Sequence, residues 1–259
     1  IELIYQFNLP IKISWDENKL NAIPADLLIS KIDGFCSSLY EDSVNSINRE
    51  IEKKSGSILI IYSDQYSSIV KKIQSANSKI YIVNYDSSNF QEFAARILGI
   101  NHSESRFKKI SNLNPNQAMN FNPRSRSDIT QIVMLLEAQE FKAMIPSLRY
   151  HSGNKYKYIN FISSLEGLNN SMQLLDYEDS HTPVSIFLSR KIKNEGTISI
   201  EKFLEYGVLS DWLLDQVLKQ AGVQSAKING AIGNIFYNLN SCNKREIPLQ
   251  KISSDLFSS

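Results

Sequence analysis

The stretch from Gly56 to Asp86 constrains the fold more than any other part of the sequence. Ser57–Tyr62 and residues 79–84 are short runs rich in isoleucine and tyrosine, a composition typical of buried strands. Residues 63–78 between them are enough for a crossover helix, which is needed because parallel strands cannot be joined by a tight turn. The stretch therefore predicts a βαβ unit.

Helices are expected on both sides of this unit. Residues 39–54 repeat apolar side chains at helical spacing, and a shorter helix is predicted for residues 25–35. After the unit, a further helix begins near Ser88 and ends before Gly99. Residues 1–15 predict a strand or a short hairpin. This alternation of strands and helices is typical of α/β proteins.

Residues 102–127 lose the periodicity. Their composition turns to Asn, Ser, Pro and Arg, and two Asn-Pro steps favour turns, so we expect a long loop or a linker between domains. Ser127 and Asp128 then predict the cap of a helix. One side of that helix would carry the apolar residues Ile129, Ile132, Val133, Leu136 and Phe141.

The remainder of the chain predicts a second α/β half. Residues 156–162 and 183–188 have the composition of strands, and residues 164–175 between them suit a helix. If the two strands are parallel neighbours, this half repeats the order of the first.

A helical hairpin is predicted near the C-terminus. A helix over residues 201–206 is followed by Gly207, and residues 210–211 would cap a second helix over 212–220. This order resembles a hairpin in the N-terminal domains of type II secretion and type IV pilus assembly ATPases. The ligand-contacting Arg-Leu-Gly of those domains corresponds to Ile-Ser-Ile at residues 198–200. The resemblance therefore implies a structural hairpin and no ligand binding.

Together these patterns predict an α/β fold, with a Rossmann-like, mainly parallel sheet, flanking helices and a helical C-terminal region. The sheet is expected to contain the strands around Ile60, Ile80, Tyr158 and Ile186. The predicted organisation is an α/β half over residues 1–101, a loop or linker over 102–127, and a second half over 128–259. One elaborated domain is the alternative to two halves.

The composition excludes few classes of function. The net charge of +1 gives no footprint for nucleic acid, and no apolar run approaches the roughly 20 residues of a membrane span.

The two cysteines, Cys36 and Cys242, lie far apart in the sequence and lack metal-ligand spacing. We therefore expect neither a zinc site nor a disulfide framework, and a reducing, cytoplasmic location. The chain opens at Ile1 without a leader sequence, as a fragment of a longer protein would.

Four polar residues at the ends of the βαβ strands are candidate ligand contacts. Ser63 and Asp64 follow the first strand, and Asn84 and Asp86 end the second. Ligands of open α/β sheets bind beyond the carboxyl ends of the strands. The turn after the first strand has no glycine, however, and a dinucleotide site needs glycines there. The competing interpretation is that Ser63 or Asp64 caps a helix and Asp86 lies in an ordinary turn.

Arg124 and Arg126 are the second candidate, as a phosphate or carboxylate site. Both precede the helix predicted from residue 129, and guanidinium groups beside free backbone N–H donors favour anions. The competing interpretation is a solvated polar linker. Residues 176–181 hold carboxylates and a histidine, but their spacing matches no ligand motif, so no metal site is predicted.

Two functions are compatible with these observations. The first is a non-catalytic binding or assembly module that presents an α/β surface to a protein partner. It is favoured by the absence of catalytic motifs and by 12 Tyr and 12 Phe, which can supply a contact surface. The alternative is a transferase that binds a nucleotide-activated donor, such as a nucleotide-sugar, between two Rossmann-like halves, with Arg124 and Arg126 on the diphosphate. Only the transferase requires a nucleotide ligand, and no cofactor is otherwise evident.

Overall fold

The computed structural model describes residues 26–53, 55–76, 78–113, 120–166, 168, 171–184 and 200–253. Its α-helices are α1 (Leu39–Ile51), α2 (Ser67–Val70), α3 (Phe90–Ile97), α4 (Ile100–Leu113), α5 (Ala138–Ser152) and α6 (Ile200–Gln220). Its strands are β1 (Ser57–Tyr62), β2 (Ile80–Asn84), β3 (Ile129–Leu135), β4 (Lys157–Asn160), β5 (His181–Pro183), β6 (Ser225–Asn229), β7 (Asn234–Asn238), β8 (Lys244–Glu246) and β9 (Leu249–Lys251). Short 3-10 helices cover Asp64–Tyr66, Ile162–Leu165 and Ser171–Tyr177.

A six-stranded sheet in the order β2-β1-β3-β4-β5-β9 forms the centre of the fold. The first five of these strands are parallel, and β9 runs antiparallel to β5. On β1, Ile60 lies between Ile82 of β2 and Val133 of β3. With its flanking helices, this sheet confirms the predicted α/β, mainly parallel, Rossmann-like fold.

The predicted βαβ unit is confirmed, with a shorter crossover helix than expected. β1 and β2 pair in parallel from Ile58 opposite Ile80 to Tyr62 opposite Asn84. Side chains 58–61 of β1 are all buried, because a parallel strand inside an α/β sheet is covered on both faces. In its described residues the crossover contains only a 3-10 turn and the single turn of α2.

The helix predicted from residue 129 is wrong, because this segment is the central strand β3. All its side chains from Gln131 to Leu135 have no exposed surface, since both faces of the strand are covered. A run of apolar residues that is buried on both faces fits a helix and a strand equally well by periodicity. Helix α5 begins only at Ala138, and Pro146 lies inside it.

The loop predicted over 102–127 is wrong for its first part, which belongs to α4. The Asn and Ser residues of α4 are weak helix formers, but Ile100 and Ser103 are buried against the body of the protein and hold the helix there. Arg124 and Arg126 therefore precede a strand and not a helix N-terminus. β1 and β3, from either side of this segment, are neighbours in one sheet. The division into two halves stays a prediction.

The predicted hairpin near the C-terminus is wrong, because α6 continues through Gly207 without a break. Asp211, expected to cap a second helix, lies within α6 with its carboxylate buried against Arg245. The helical C-terminal region is followed by a three-stranded antiparallel sheet in the order β6-β7-β8.

Three further predictions have mixed outcomes. Residues 26–35 form turns instead of the predicted helix, and the described part of residues 164–175 contains 3-10 segments instead of an α-helix. Of the strand predicted over 183–188, the described part includes only the end of β5. Ile186 and residues 1–15 lie outside the described residues.

A disulfide joins Cys36 to Cys242, which corrects the expectation that the two cysteines form no disulfide framework. The two segments also bond through their backbones, because the N–H of Cys36 donates to the carbonyl of Asn243 at 2.9 Å and the N–H of Asn243 to that of Gly34 at 2.7 Å. Residues 206 positions apart cannot be paired from sequence spacing alone, so only the fold reveals this bond.

A buried ion cluster centred on Arg245 joins the C-terminal sheet to two helices. The guanidinium lies 3.2 Å from the carboxylate of Asp42 on α1 and 3.1 Å from that of Asp211 on α6. It also lies over the ring of Phe35, 4.4 Å from its centre. Burial raises the pKa of both carboxyl groups to about 6, although Arg245 opposes the rise.

Candidate functional site

A crevice of about 920 Å³ opens at the carboxyl ends of the central strands. The chain leaves β1 toward β2 on one side and β3 toward β4 on the other, so the strand order reverses between β1 and β3. Such a reversal leaves a gap between the diverging loops, and this gap is where open α/β sheets bind ligands. We call this site the carboxyl-edge crevice. Its lining is Ile29, Lys31, Ser38, Tyr40, Glu41, Gln65, Tyr66, Ser68, Ile69, Lys72, Glu137, Ala138, Gln139, Ser163, Glu166 and Glu201.

Aromatic rings form the inner wall of the crevice. The ring of Tyr40 meets that of Phe161 edge-on, with 4.9 Å between centroids, and Tyr66 meets the same ring at 5.8 Å. Phe161 is fully buried behind them, so it fixes both tyrosines in place. Tyr40 comes from the first turn of α1 and Tyr66 from the turn after β1, so the wall depends on the fold and not on a local motif.

Glu166 is the most perturbed carboxyl group of the crevice. The hydroxyl of Tyr40 donates a hydrogen bond of 2.7 Å to its carboxylate. Burial raises the pKa of Glu166 to about 7, and the nearby carboxylates of Glu201, Asp26 and Glu137 add to the rise against the lowering effect of Tyr40. In the part of the chain that the structure describes, no cation forms an ion pair with Glu166.

The remaining polar groups of the crevice are held by the loops that surround it. Glu137 precedes α5 and accepts a hydrogen bond of 2.8 Å from the side-chain amide of Gln65. The hydroxyl of Ser38 accepts from the N–H of Glu41 and caps α1, and that of Ser163 donates to the carbonyl of Leu136. Two serines of the lining are thus engaged with backbone, which fits binding better than nucleophilic attack.

The lining carries more negative than positive charge. Its carboxylates are Glu41, Glu137, Glu166 and Glu201, and its cations are Lys31 and Lys72. Lys72 is already paired with Glu41 at 2.7 Å. The crevice is therefore electrostatically suited to a positively charged group that would lie between the tyrosine rings and Glu166.

The four residues predicted at the strand ends lie at the same edge of the sheet but outside the crevice lining. The hydroxyl of Ser63 donates to Glu140, and the amide of Asn84 donates to Asp64. Asp86 forms an ion pair of 2.6 Å with Arg96 and accepts from Ser88, and these hydrogen bonds lower its pKa to about 2. These side chains are occupied with one another or with nearby groups, and their role as ligand contacts stays a prediction.

Arg124 and Arg126 lie at the opposite edge of the sheet, before the start of β3. Arg126 pairs with Asp128 at 2.6 Å and lies over the ring of Tyr81, 4.1 Å from its centre. Arg124 and Arg126 cannot contact the same diphosphate as Ser63 or Asp64, because the two pairs lie at opposite ends of the parallel strands and the length of the strands separates them. The geometry on which the transferase hypothesis depended is absent from the described residues, and that hypothesis has no support.

The sequence did not indicate Tyr40 or Glu166, and it indicated Tyr66 only indirectly. Tyr66 lies in the turn after β1, the rim that the sequence singled out, whereas Tyr40 and Glu166 are 126 positions apart and no local pattern connects them. Among the described residues, no group of three or more His, Cys, Asp or Glu side chains is arranged to hold a metal ion. None of the helices in that part of the chain has the length and apolar character of a membrane span.

The fold and the crevice define a mainly parallel α/β protein with an open site at the reversal of its strand order. No protein-family model matches the sequence, and no curated protein matches it either. Among solved structures, the chain is similar to the C-domain of LpoA (YraM) from Haemophilus influenzae, a regulator of PBP1A, at 13% identity and a TM-score of 0.48. That match covers 84% of this chain and 66% of the other.

Two substrate-binding proteins of ABC transporters are also similar. One is from Desulfitobacterium hafniense in complex with Leu, at 11% identity and a TM-score of 0.34, covering 82% of this chain and 62% of the other. The second is from Clostridium phytofermentas with bound L-rhamnose, at 12% identity and a TM-score of 0.33, covering 85% and 64%. The chain thus spans slightly less than two thirds of each of these proteins. Because all three TM-scores are below 0.5, these similarities do not indicate a function, which must be inferred from the residues of this chain.

Proposed function

We propose that this chain is a non-catalytic binding module that holds a protein partner through the carboxyl-edge crevice. The observation that carries the proposal is Glu166, a half-buried carboxyl group that shares the crevice with Tyr40 and Tyr66 and forms no ion pair with a cation of the described residues. The partner group that fits is a Lys or Arg side chain. Its charge would replace the missing counterion of Glu166, and its apolar stem would pack on the rings.

Two features of the crevice support binding rather than chemistry. The serines Ser38 and Ser163 are engaged with backbone groups, and the aromatic wall is fixed by the buried ring of Phe161. A rigid aromatic wall binds without a large loss of side-chain entropy, which is why tyrosines are common in protein interfaces.

The disulfide supports a working environment different from the one expected from the sequence. Disulfides persist in oxidising compartments and are rare in the cytosol. We therefore propose that the chain functions in an oxidising compartment instead of the cytoplasm.

A titration with a short lysine-containing peptide tests the assigned partner group. We expect saturable binding by calorimetry, and a loss of about tenfold or more in affinity in Glu166→Gln. The same peptide with acetylated lysine should not bind, because it has no charge. The control Glu92→Gln removes an exposed carboxylate on α3 and should bind like the wild type. Equal binding of the lysine and acetyl-lysine peptides would contradict the assignment.

A photo-crosslinking experiment tests the protein partner itself. A photoreactive residue is placed at Gln139, in the crevice lining, and separately at the exposed Asn240. Irradiation in the native cell should give one adduct of discrete mass from position 139 and none from position 240. The adduct should weaken when Glu166→Gln is added. Adducts of the same pattern from both positions would show that the crevice is not the interface.

A further inference from the structure

The amino edge of the sheet, opposite the carboxyl-edge crevice, carries a strong positive charge that the net charge of +1 conceals. Two grooves of about 930 and 1090 Å³ adjoin there and have Ser127 and Lys155 in common. We call the two grooves together the amino-edge track. The cations of its lining are Lys53, Arg106, Lys109, Arg124, Arg126, Arg149, Lys155, Lys157 and Lys251, and its carboxylates are Asp128 and Asp179.

Four of these cations have carboxylate partners. Lys53 and Lys157 both contact Glu50, which lies beside the track. Lys251 pairs with Asp179 at 2.7 Å, and Arg126 pairs with Asp128. Each of these four cations is therefore paired with the carboxylate of an Asp or Glu side chain of the protein itself.

The other five cations form no ion pair with a carboxylate of the described chain. They are Arg106, Lys109, Arg124, Arg149 and Lys155. Among the described residues, Lys155 donates hydrogen bonds only to the backbone carbonyls of Ser125 and Arg126 and to the Ser125 hydroxyl. Arg149 donates to the carbonyl of Glu178, and its Nε has no hydrogen-bond partner in the same part of the chain. Like charges at this density repel one another, so an anionic ligand would relieve an unfavourable arrangement.

Apolar side chains continue the track along α4. Ile110 is 51% exposed and Leu113 is 79% exposed, and with Arg106 they follow a spacing of three or four residues that places them on one face of the helix. Phe121 is 36% exposed and stacks on Phe107 of the same helix, with 4.3 Å between ring centres. Exposed aliphatic residues next to arginines are typical of a protein interface.

This composition favours a polypeptide over the other polyanions. A nucleic acid would use the cations on its phosphates but would leave Ile110 and Leu113 without a favourable contact. A membrane surface is flat on this scale and does not enter two grooves. An acidic polypeptide offers carboxylates for the cations and apolar side chains for α4 at the same time.

We propose that the amino-edge track is a docking surface for an acidic segment of a protein partner. Asp and Glu side chains of the segment pair with Arg106, Lys109 and Arg124, and its apolar residues pack on Ile110 and Leu113. This surface lies on the opposite edge from the carboxyl-edge crevice, so it constitutes a second, independent interaction site with the opposite charge preference.

The test is fluorescence anisotropy with the full chain and a labelled peptide in which Glu alternates with Leu. We expect saturable binding that weakens as salt is added, because screening reduces attraction between exposed charges. The variant Arg106→Glu with Lys109→Glu should lose at least about tenfold in affinity. The wild-type chain should bind a peptide with Gly in place of Leu more weakly than the Glu/Leu peptide. The variant Leu113→Ala should bind the Glu/Leu peptide more weakly than the wild type does.

A matched control separates a local surface from overall charge. The variant Lys71→Glu with Lys244→Glu changes the net charge by the same amount at exposed positions outside the track, and should bind within about twofold of the wild type. Circular dichroism melts confirm that both double variants fold. Equal loss in the two variants would overturn the proposal, as would the absence of saturable binding. A single-stranded oligonucleotide or phosphatidylglycerol vesicles that bind more tightly than the peptide at equal charge would overturn it in favour of that ligand.

Discussion

Breaking the disulfide between Cys36 and Cys242 should cost this protein a large part of its stability. The bond closes a loop of 206 residues. In the chain-entropy description, the loss of freedom that such a loop imposes on the unfolded chain corresponds to about 5 kcal/mol at 25 °C. Residual structure in the unfolded chain reduces this figure, so we expect a loss of roughly 3–5 kcal/mol.

The local geometry indicates that the bond adds little distortion to the fold. The Cα atoms of the two cysteines lie 4.9 Å apart, within the usual range for disulfides. The backbone bonds between Cys36 and Asn243 hold the same two segments together without the sulfur atoms. The reduced protein should therefore keep its native contacts and lose only the constraint on its unfolded state.

Urea unfolding with and without reductant measures the effect. With a slope of about 3 kcal/mol per molar urea, which suits a chain of this size, the midpoint should fall by about 1–1.7 M on reduction. Cys242 is exposed, so the reductant reaches the bond in the folded protein. The double variant Cys36→Ser with Cys242→Ser should unfold like the reduced wild type and ignore the reductant. Midpoints that agree within about 0.2 M for the wild type and the double variant, each with and without reductant, would refute the entropic argument.

Three further predictions concern buried charge and backbone conformation. Arg245→Met should lower the free energy of unfolding by about 3–5 kcal/mol at pH 7, because Asp42 and Asp211 lose their buried counterion. The loss should be smaller at pH 4, where both carboxyl groups can be protonated, and a constant loss across this range would contradict that cause. The variant Glu166→Gln tests the raised pKa of Glu166. A carboxyl group whose pKa is higher in the folded state than in the unfolded state stabilises the folded protein at low pH. That stabilisation is lost as the pH rises to about 7. Between pH 4.5 and 7 the wild type should therefore lose up to about 3 kcal/mol relative to the variant in paired denaturation curves, and parallel curves would argue against the shift. Gly34→Ala should destabilise the protein by more than Gly222→Ala. Both glycines have positive φ, so both substitutions strain the backbone. A Cβ at Gly34 would also lie 2.4 Å from the carboxylate of Asp215, whereas a Cβ at Gly222 would have no atom within 4 Å. Equal melting temperatures of the two variants would show that the contact at Gly34 relaxes without cost.

The sequence alone determined those elements whose stability depends on neighbours along the chain. The two β-branched runs of the βαβ unit, the helix after Asn89 and the stop at Gly99 follow from composition and capping. The side chain of Asn89 accepts from two N–H groups of α3, and Gly99 has a φ of +74°. These features are local, so a window of ten to twenty residues contains all that specifies them.

Burial on both faces explains the main error in secondary structure. From Ile132 to Leu135 strand β3 is apolar at every position, and such a run satisfies helical and strand periodicity together. Only the pairing of β3 between β1 and β4 decides in favour of a strand. At Gly207 local propensity predicts a break, but α6 is continuous there. The neighbouring Leu204 and Val208 are buried, and this tertiary burial stabilises the helix across the glycine.

The candidate sites depended on the tertiary structure almost completely. Tyr40 and Glu166 meet across 126 positions, and Cys36 and Cys242 across 206. The net charge of +1 is a sum over the whole chain, so it concealed an acidic crevice at one edge of the sheet and a basic track at the other. Parallel strands collect their preceding segments at one edge and their following segments at the other, and the fold thereby separates charges that are mixed along the sequence.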